Sequence, residues 1–157
     1  RYRRPERKVV VAIRRKTSEE AGMATVREVR ALFASFEDSS AASAEPVTAE
    51  PISAEVAQAF AALPRSVRAT FVRFTLEELA TLAPGNSVEV RVPPLGVTQC
   101  VAGPRHTRGT PPSVVETSPA VWAALVLGAC SWEQAVAAGV LDASGERSDL
   151  STLLPLF

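Results

Sequence analysis

Apolar residues recur along this chain in blocks, and their spacing changes from block to block. Val26, Val29, Leu32, Phe33 and Phe36 fall at i, i+3, i+6, i+7 and i+10, one face of a helix. Thr25-Val26-Arg27-Glu28 has capping-box spacing, in which hydroxyl and carboxylate satisfy the first free N–H groups, so a helix is predicted over 26–36. The polar run Glu37-Asp38-Ser39-Ser40 ends it, and the stretch from Ala41 to Pro51, rich in Ala, Ser, Glu and Pro, reads as a linker. Ser53 caps a second helix that places Val56, Phe60 and Leu63 on one face, with Pro64 beyond its end. Residues 65–74 read as a short connecting segment. Thr75-Leu76-Glu77-Glu78 then repeats the capping-box spacing and predicts a new helix over 76–83, stopped by Pro84-Gly85.

From Ser87 the period changes to two. Ser87-Val88-Glu89-Val90-Arg91-Val92 alternates strictly, three valines on one face and Glu89 and Arg91 on the other. Pro93-Pro94-Leu95-Gly96 makes a turn, and residues 97–101 return as the partner strand. Gly103 to Pro112 is a long polar loop, and residues 113–117 form a third strand. Ser118 caps the next helix with Pro119 at its first position and Gly128 at its end. Ser131-Trp132-Glu133-Gln134 is another capping box, opening a helix that Gly139 closes. A short strand over 140–144 ends at Gly145, and a terminal helix containing Leu150, Leu153 and Leu154 stops at Pro155. This order predicts an α+β fold: an antiparallel sheet of about four to five strands, short helices on one of its faces, and an added N-terminal helical region.

Composition refines that picture. Of the 157 residues, 46% are apolar, enough for a core. Acidic and basic residues number 17 each, so the whole chain has no electrostatic pull towards nucleic acid. The balance is uneven, however. Residues 1–22 carry eight basic and three acidic side chains, a net +5, and the rest of the chain carries net −5. This segment precedes Met23, the only methionine, and is expected to be a flexible extension; an edge strand over 9–13 or an arm touching phosphate or membrane are the alternatives. Domain boundaries are expected at 22/23 and 66/67, separating extension, N-terminal helices with linker, and a folded domain over 67–157. The run Val9-Val10-Val11-Ala12-Ile13 is too short for the core of a signal peptide, and no run approaches a membrane span. Cys100 and Cys130 are too few for a disulfide framework and read as reduced thiols of a cytoplasmic protein.

The segment from Ser118 to Leu156 carries a resemblance. A strand leads to a helix with Trp122 and Leu125, then Gly128; a second capped helix holds Ser131 and Ala135; Gly139, Leu141, Gly145 and Leu150 follow. This pattern resembles the C-terminal half of the sterol carrier protein fold. The stretch from Phe74 to Thr117 is similar to an actinobacterial branch of that family, and the likeness covers roughly residues 67–157. The polar loop 103–112 departs from the family, where this connection is shorter. The resemblance implies a cavity between helices and sheet that holds a lipid, sterol or fatty acyl group non-covalently, with no cofactor. It implies an apolar lining drawn from Val90, Val92, Trp122, Leu125, Trp132, Val136, Leu150 and Leu154.

Candidate chemistry is sparse. His106 is the only histidine, so a two-histidine metal site or dyad is excluded. Nothing local lowers the pKa of either cysteine, and both read as small buried hydrophobes. Arg105, His106 and Arg108 gather in the polar loop, where they either grip an anionic headgroup or pair with Glu89 or Glu116. The two tryptophans either line a ligand tunnel or are core, each indole N–H needing an acceptor. Glu77 with Glu78, and Glu133 with Asp142, are explained by caps and solvated faces, and no acid–base pair emerges. The predicted function is therefore non-catalytic binding of an apolar small molecule or lipid. The alternative is an interaction module for a protein partner with a filled cavity. No nucleic-acid partner, stable membrane insertion, metal or enzyme activity is expected.

Overall fold

The computed structural model describes residues 15–40, 50–104 and 113–157. Its first element, α1 (Glu19–Ser40), is longer at its start than the pattern predicts. Val26, Val29 and Phe33 are buried along its inner face, as the spacing requires. Thr25 does not cap it: the hydroxyl donates to Gly22 O at 2.7 Å, inside the helix. The expected boundary at 22/23 thus falls within α1. Gly22 is needed for a close approach, because a Cβ there lies 2.2 Å from the Phe74 ring.

The second helix, α2 (Ala54–Ala62), is capped by Ser53, whose Oγ accepts from Val56 N at 3.3 Å. The third, α3 (Arg65–Leu82), corrects the break read at Thr75: residues 65–82 form one helix. A cap needs free N–H groups, and here the preceding turns already supply i−4 carbonyl partners. Thr75 instead turns its hydroxyl inward, 2.9 Å from Phe71 O and 3.1 Å from Val72 O, and is fully buried. Glu77 and Glu78 hold the N-terminal approach to α1. Glu77 accepts from Lys16 N at 3.1 Å and Thr17 N at 3.2 Å, and Glu78 pairs with Arg15.

A four-stranded sheet follows, built from β1 (Val88–Val92), β2 (Gly96–Cys100), β3 (Ser113–Thr117) and β4 (Leu141–Ser144) in the order β2-β1-β3-β4. The outer ladders, β1 with β2 and β3 with β4, are antiparallel as expected. The central ladder is parallel, which corrects the all-antiparallel expectation. Its cause is topological. Cys100 at the end of β2 lies opposite Val88, and Ser113 at the start of β3 flanks that same residue on the other side. The chain re-enters the sheet at the end where it left, having passed β1, so β3 must run with β1.

Val88, Val90, Val92 and Val115 are fully buried on the helix side of this sheet, each contributing about 1.5–3 kcal/mol through burial. On the other face Arg91 Nε lies 2.6 Å from Glu89 Oε1, and Arg91 Nη1 lies 3.9 Å from Glu116 Oε2. These are the two carboxylates considered for the loop arginines. Two helices connect β3 and β4: α4 (Pro119–Leu127) and α5 (Trp132–Ala137). Ser118 and Ser131 cap them as predicted, and the Ser131/Gln134 capping box is complete. Gly128 at the end of α4 has φ 76° and Gly139 past α5 has φ 71°, both left-handed.

The terminal helix does not form. Residues 151–153 make only a turn, in which Leu153 N donates to Leu150 O at 3.0 Å. Five residues before a proline are too few to offset the helix nucleation penalty. Tertiary bonds hold the segment instead. Leu156 N and Phe157 N both donate to Val126 O, and the Phe157 ring stacks on Phe74 with centroids 6.0 Å apart.

Candidate functional site

Where α4 ends, the chain makes a sharp corner. Gly128 takes the left-handed conformation, and Ala129 N and Cys130 N fold back onto Ala124 O at 2.9 and 3.3 Å. Ser131 then starts α5 and brings Trp132 next to the end of α4. The C-terminal segment, fixed by its bonds to Val126, closes the opposite side. Together they enclose a pocket of about 310 Å³. Leu125, Trp132, Leu154 and Pro155 supply its apolar surface, and Gly128 and Cys130 its floor near the corner. Ser131, Gln134 and Ser151 contribute hydroxyl and amide groups, and Glu133 a carboxylate.

The polar groups at this pocket are already engaged locally. Ser131 Oγ accepts from Gln134 N at 3.1 Å, and Gln134 Oε1 accepts from Ser131 N at 2.9 Å. Ser151 N donates to Asp149 Oδ1 at 2.9 Å, and its N–H and hydroxyl hold the Asp149 carboxyl below the usual range. Burial pushes the Cys130 thiol up, against an opposing backbone hydrogen bond from Ala135, so it stays protonated at neutral pH. Cys100, buried in β2, is pushed up to about 11 by the same desolvation. Neither thiol has the electropositive surroundings of a nucleophile. Among the described residues no three His, Cys, Asp or Glu side chains converge to hold a metal. No described helix is long and apolar enough to cross a membrane.

The expected lining residues separate into groups. Leu125, Trp132 and Leu154 meet in this pocket. Val90, Val92, Trp122 and Leu150 are fully buried elsewhere in the core and do not line it. Val136 is 46% exposed on α5. Arg105, His106 and Arg108 lie outside the described residues. The acceptor that Trp122 requires is Thr75: Trp122 Nε1 donates to Thr75 Oγ1 at 2.9 Å, with both side chains fully buried. Local pattern gave no sign of this pair, because its members lie 47 residues apart. Sequence reasoning also missed Cys130, Ser151 and Pro155 as pocket residues; the wall that brings Ser151 and Pro155 to the corner comes from the C-terminal segment docked on α4.

Two other hollows differ in character. One of about 440 Å³ lies over Glu89, Arg91 and Glu116 on the outer face of the sheet. Another of about 550 Å³ lies between Lys16, Thr17, Arg73 and Glu77 on one side and β2 on the other. The first sets Pro93, Pro94, Leu95 and Val97 beside its charged groups, the second mixes Lys16, Arg73 and Glu77 with Leu76 and Val97, and neither gathers any of the expected lining residues.

The architecture, a small mixed sheet with helices packed on one face, defines an α+β domain of the sterol carrier type. Residues 64–156 match the family of bacterial SCP orthologs, and the chain belongs to that family. The matched region starts at the residue before α3 and takes in the sheet, α4, α5 and the docked C-terminal segment, leaving α1 and α2 outside. No curated protein matches the chain.

Proposed function

We propose that this protein is a non-catalytic carrier or sensor that holds an apolar small molecule or lipid in the pocket between α4, α5 and the C-terminal segment. The observation carrying the reading is the meeting of Leu125, Trp132 and Leu154 around one 310 Å³ space. That volume lies at the lower end of the range of ligand pockets, and its mix of apolar walls and a few polar groups is typical of them. Family membership points the same way. The two free cysteines fit a reducing compartment, and we assign the carriage to the cytoplasm.

The second reading is an interaction module whose ligand space is filled by its own side chains. The complete burial of Val90, Val92, Trp122 and Leu150 favours it, since these residues spend their surface on one another. Native mass spectrometry of freshly purified protein separates the two readings. Carriage predicts a co-purifying adduct that Trp132→Ala removes while the fold persists. An adduct-free protein that also fails to take up added decanol or sterol supports the interaction module.

A further inference from the structure

The charges around the pocket constrain the head of its ligand. Glu133 is the one ionisable carboxylate on the lining, and it is exposed. Asp149, hydrogen-bonded to the Ser151 backbone, is also exposed but is not on the lining. Among the described residues no Lys or Arg lines the space. Arg147, the nearest basic residue along the C-terminal segment, is turned away: its Nη1 reaches Ala102 O at 3.5 Å and its backbone N–H donates to Ser113 Oγ. At the start of α5 the Ser131/Gln134 box takes the Ser131 and Gln134 N–H groups, and Glu133 in the same first turn already sets a negative charge against the positive end of the helix. A carboxylate or phosphate entering here gives up part of its hydration, meets no cation among the described residues and faces the Glu133 carboxylate. A cationic head meets that carboxylate and the Trp132 side chain on the wall.

We propose that the pocket selects amphiphiles with cationic or uncharged heads, alkyl amines and alcohols, and rejects carboxylate-headed lipids. The proposal rests on the reading that this pocket holds an apolar ligand, and its test keeps the two apart. Decylamine, decanol and decanoate share one chain and differ only in the head. Titrated into the full protein at neutral pH by calorimetry, decylamine should bind tightest and decanoate weakest, with a gap of about tenfold or more. Glu133→Gln should narrow the gap between amine and alcohol, and so should added salt. Decanoate binding as tightly as decylamine overturns the proposal while leaving the pocket reading intact. If Arg105→Gln with Arg108→Gln then abolishes decanoate binding, the polar loop supplies the head site instead. An amine preference unchanged in Glu133→Gln and insensitive to salt also overturns it. If none of the three binds to folded protein, the carriage reading fails and this proposal fails with it.

Discussion

Trp122 and Trp132 stand on neighbouring short helices and look interchangeable in the sequence, yet the folded chain puts them in different surroundings. Trp122 is 0% exposed, with its indole N–H tied to Thr75 on α3. Trp132 is 8% exposed and forms a wall of the pocket at the corner between α4 and α5. The first region is a satisfied core: hydrogen bond, burial and packing all close on one another. The second leaves space, and its polar groups bond to their own backbone around that space. Trp122 closes the core, and Trp132, also buried, is the one on which the proposed carriage depends.

The largest effect that separates these regions is on stability. Trp122→Ala should cost about 3–5 kcal/mol, because it opens a large cavity and strips Thr75 of a partner. Trp132→Ala should cost less than half as much, as the pocket already accommodates empty space. Chemical denaturation of both variants checks the order, and equal losses erase the distinction between the regions. Next comes Thr75→Val, which keeps the shape but leaves the Trp122 N–H buried without an acceptor, at about 1–3 kcal/mol. In the Trp122→Phe background that cost should largely vanish, and a double-mutant cycle measures the coupling. Smaller still, Gly128→Ala and Gly139→Ala should each cost about 1 kcal/mol, since φ is 76° and 71° there. Only Gly128→Ala should also disturb the pocket, because its new Cβ lies 3.4 Å from Pro155 Cγ. Thermal melts of the two variants, each with and without decanol, test that difference.

Legibility in the sequence followed the range of the forces involved. The caps at Ser53, Ser118 and Ser131, the alternating valines of β1 and the left-handed Gly128 and Gly139 are decided within a few residues, and all were readable. Thr75 was misread because its local spacing mimics a capping box. What decides its role is burial against Trp122, a long-range contact that no window contains. The parallel central ladder was hidden for a related reason: sequence order suggests that consecutive strands pair, whereas β3 passes β2 and joins β1. The terminal helix was overread from leucine spacing, since Pro155 and the bonds to Val126 O fix an extended end instead. At the candidate site the three wall residues were legible from the resemblance. Their meeting depends on that docked end, and no spacing rule encodes it.

The most direct test of the central claim uses the two tryptophans as they differ. In Trp122→Phe, Trp132 is the only tryptophan left, so intrinsic emission reports the pocket alone. Titration with decanol should shift that emission saturably at micromolar concentration, and Leu154→Arg should abolish the shift without unfolding the protein. An emission that stays flat while calorimetry registers decanol binding would place the ligand elsewhere in the molecule and contradict the account.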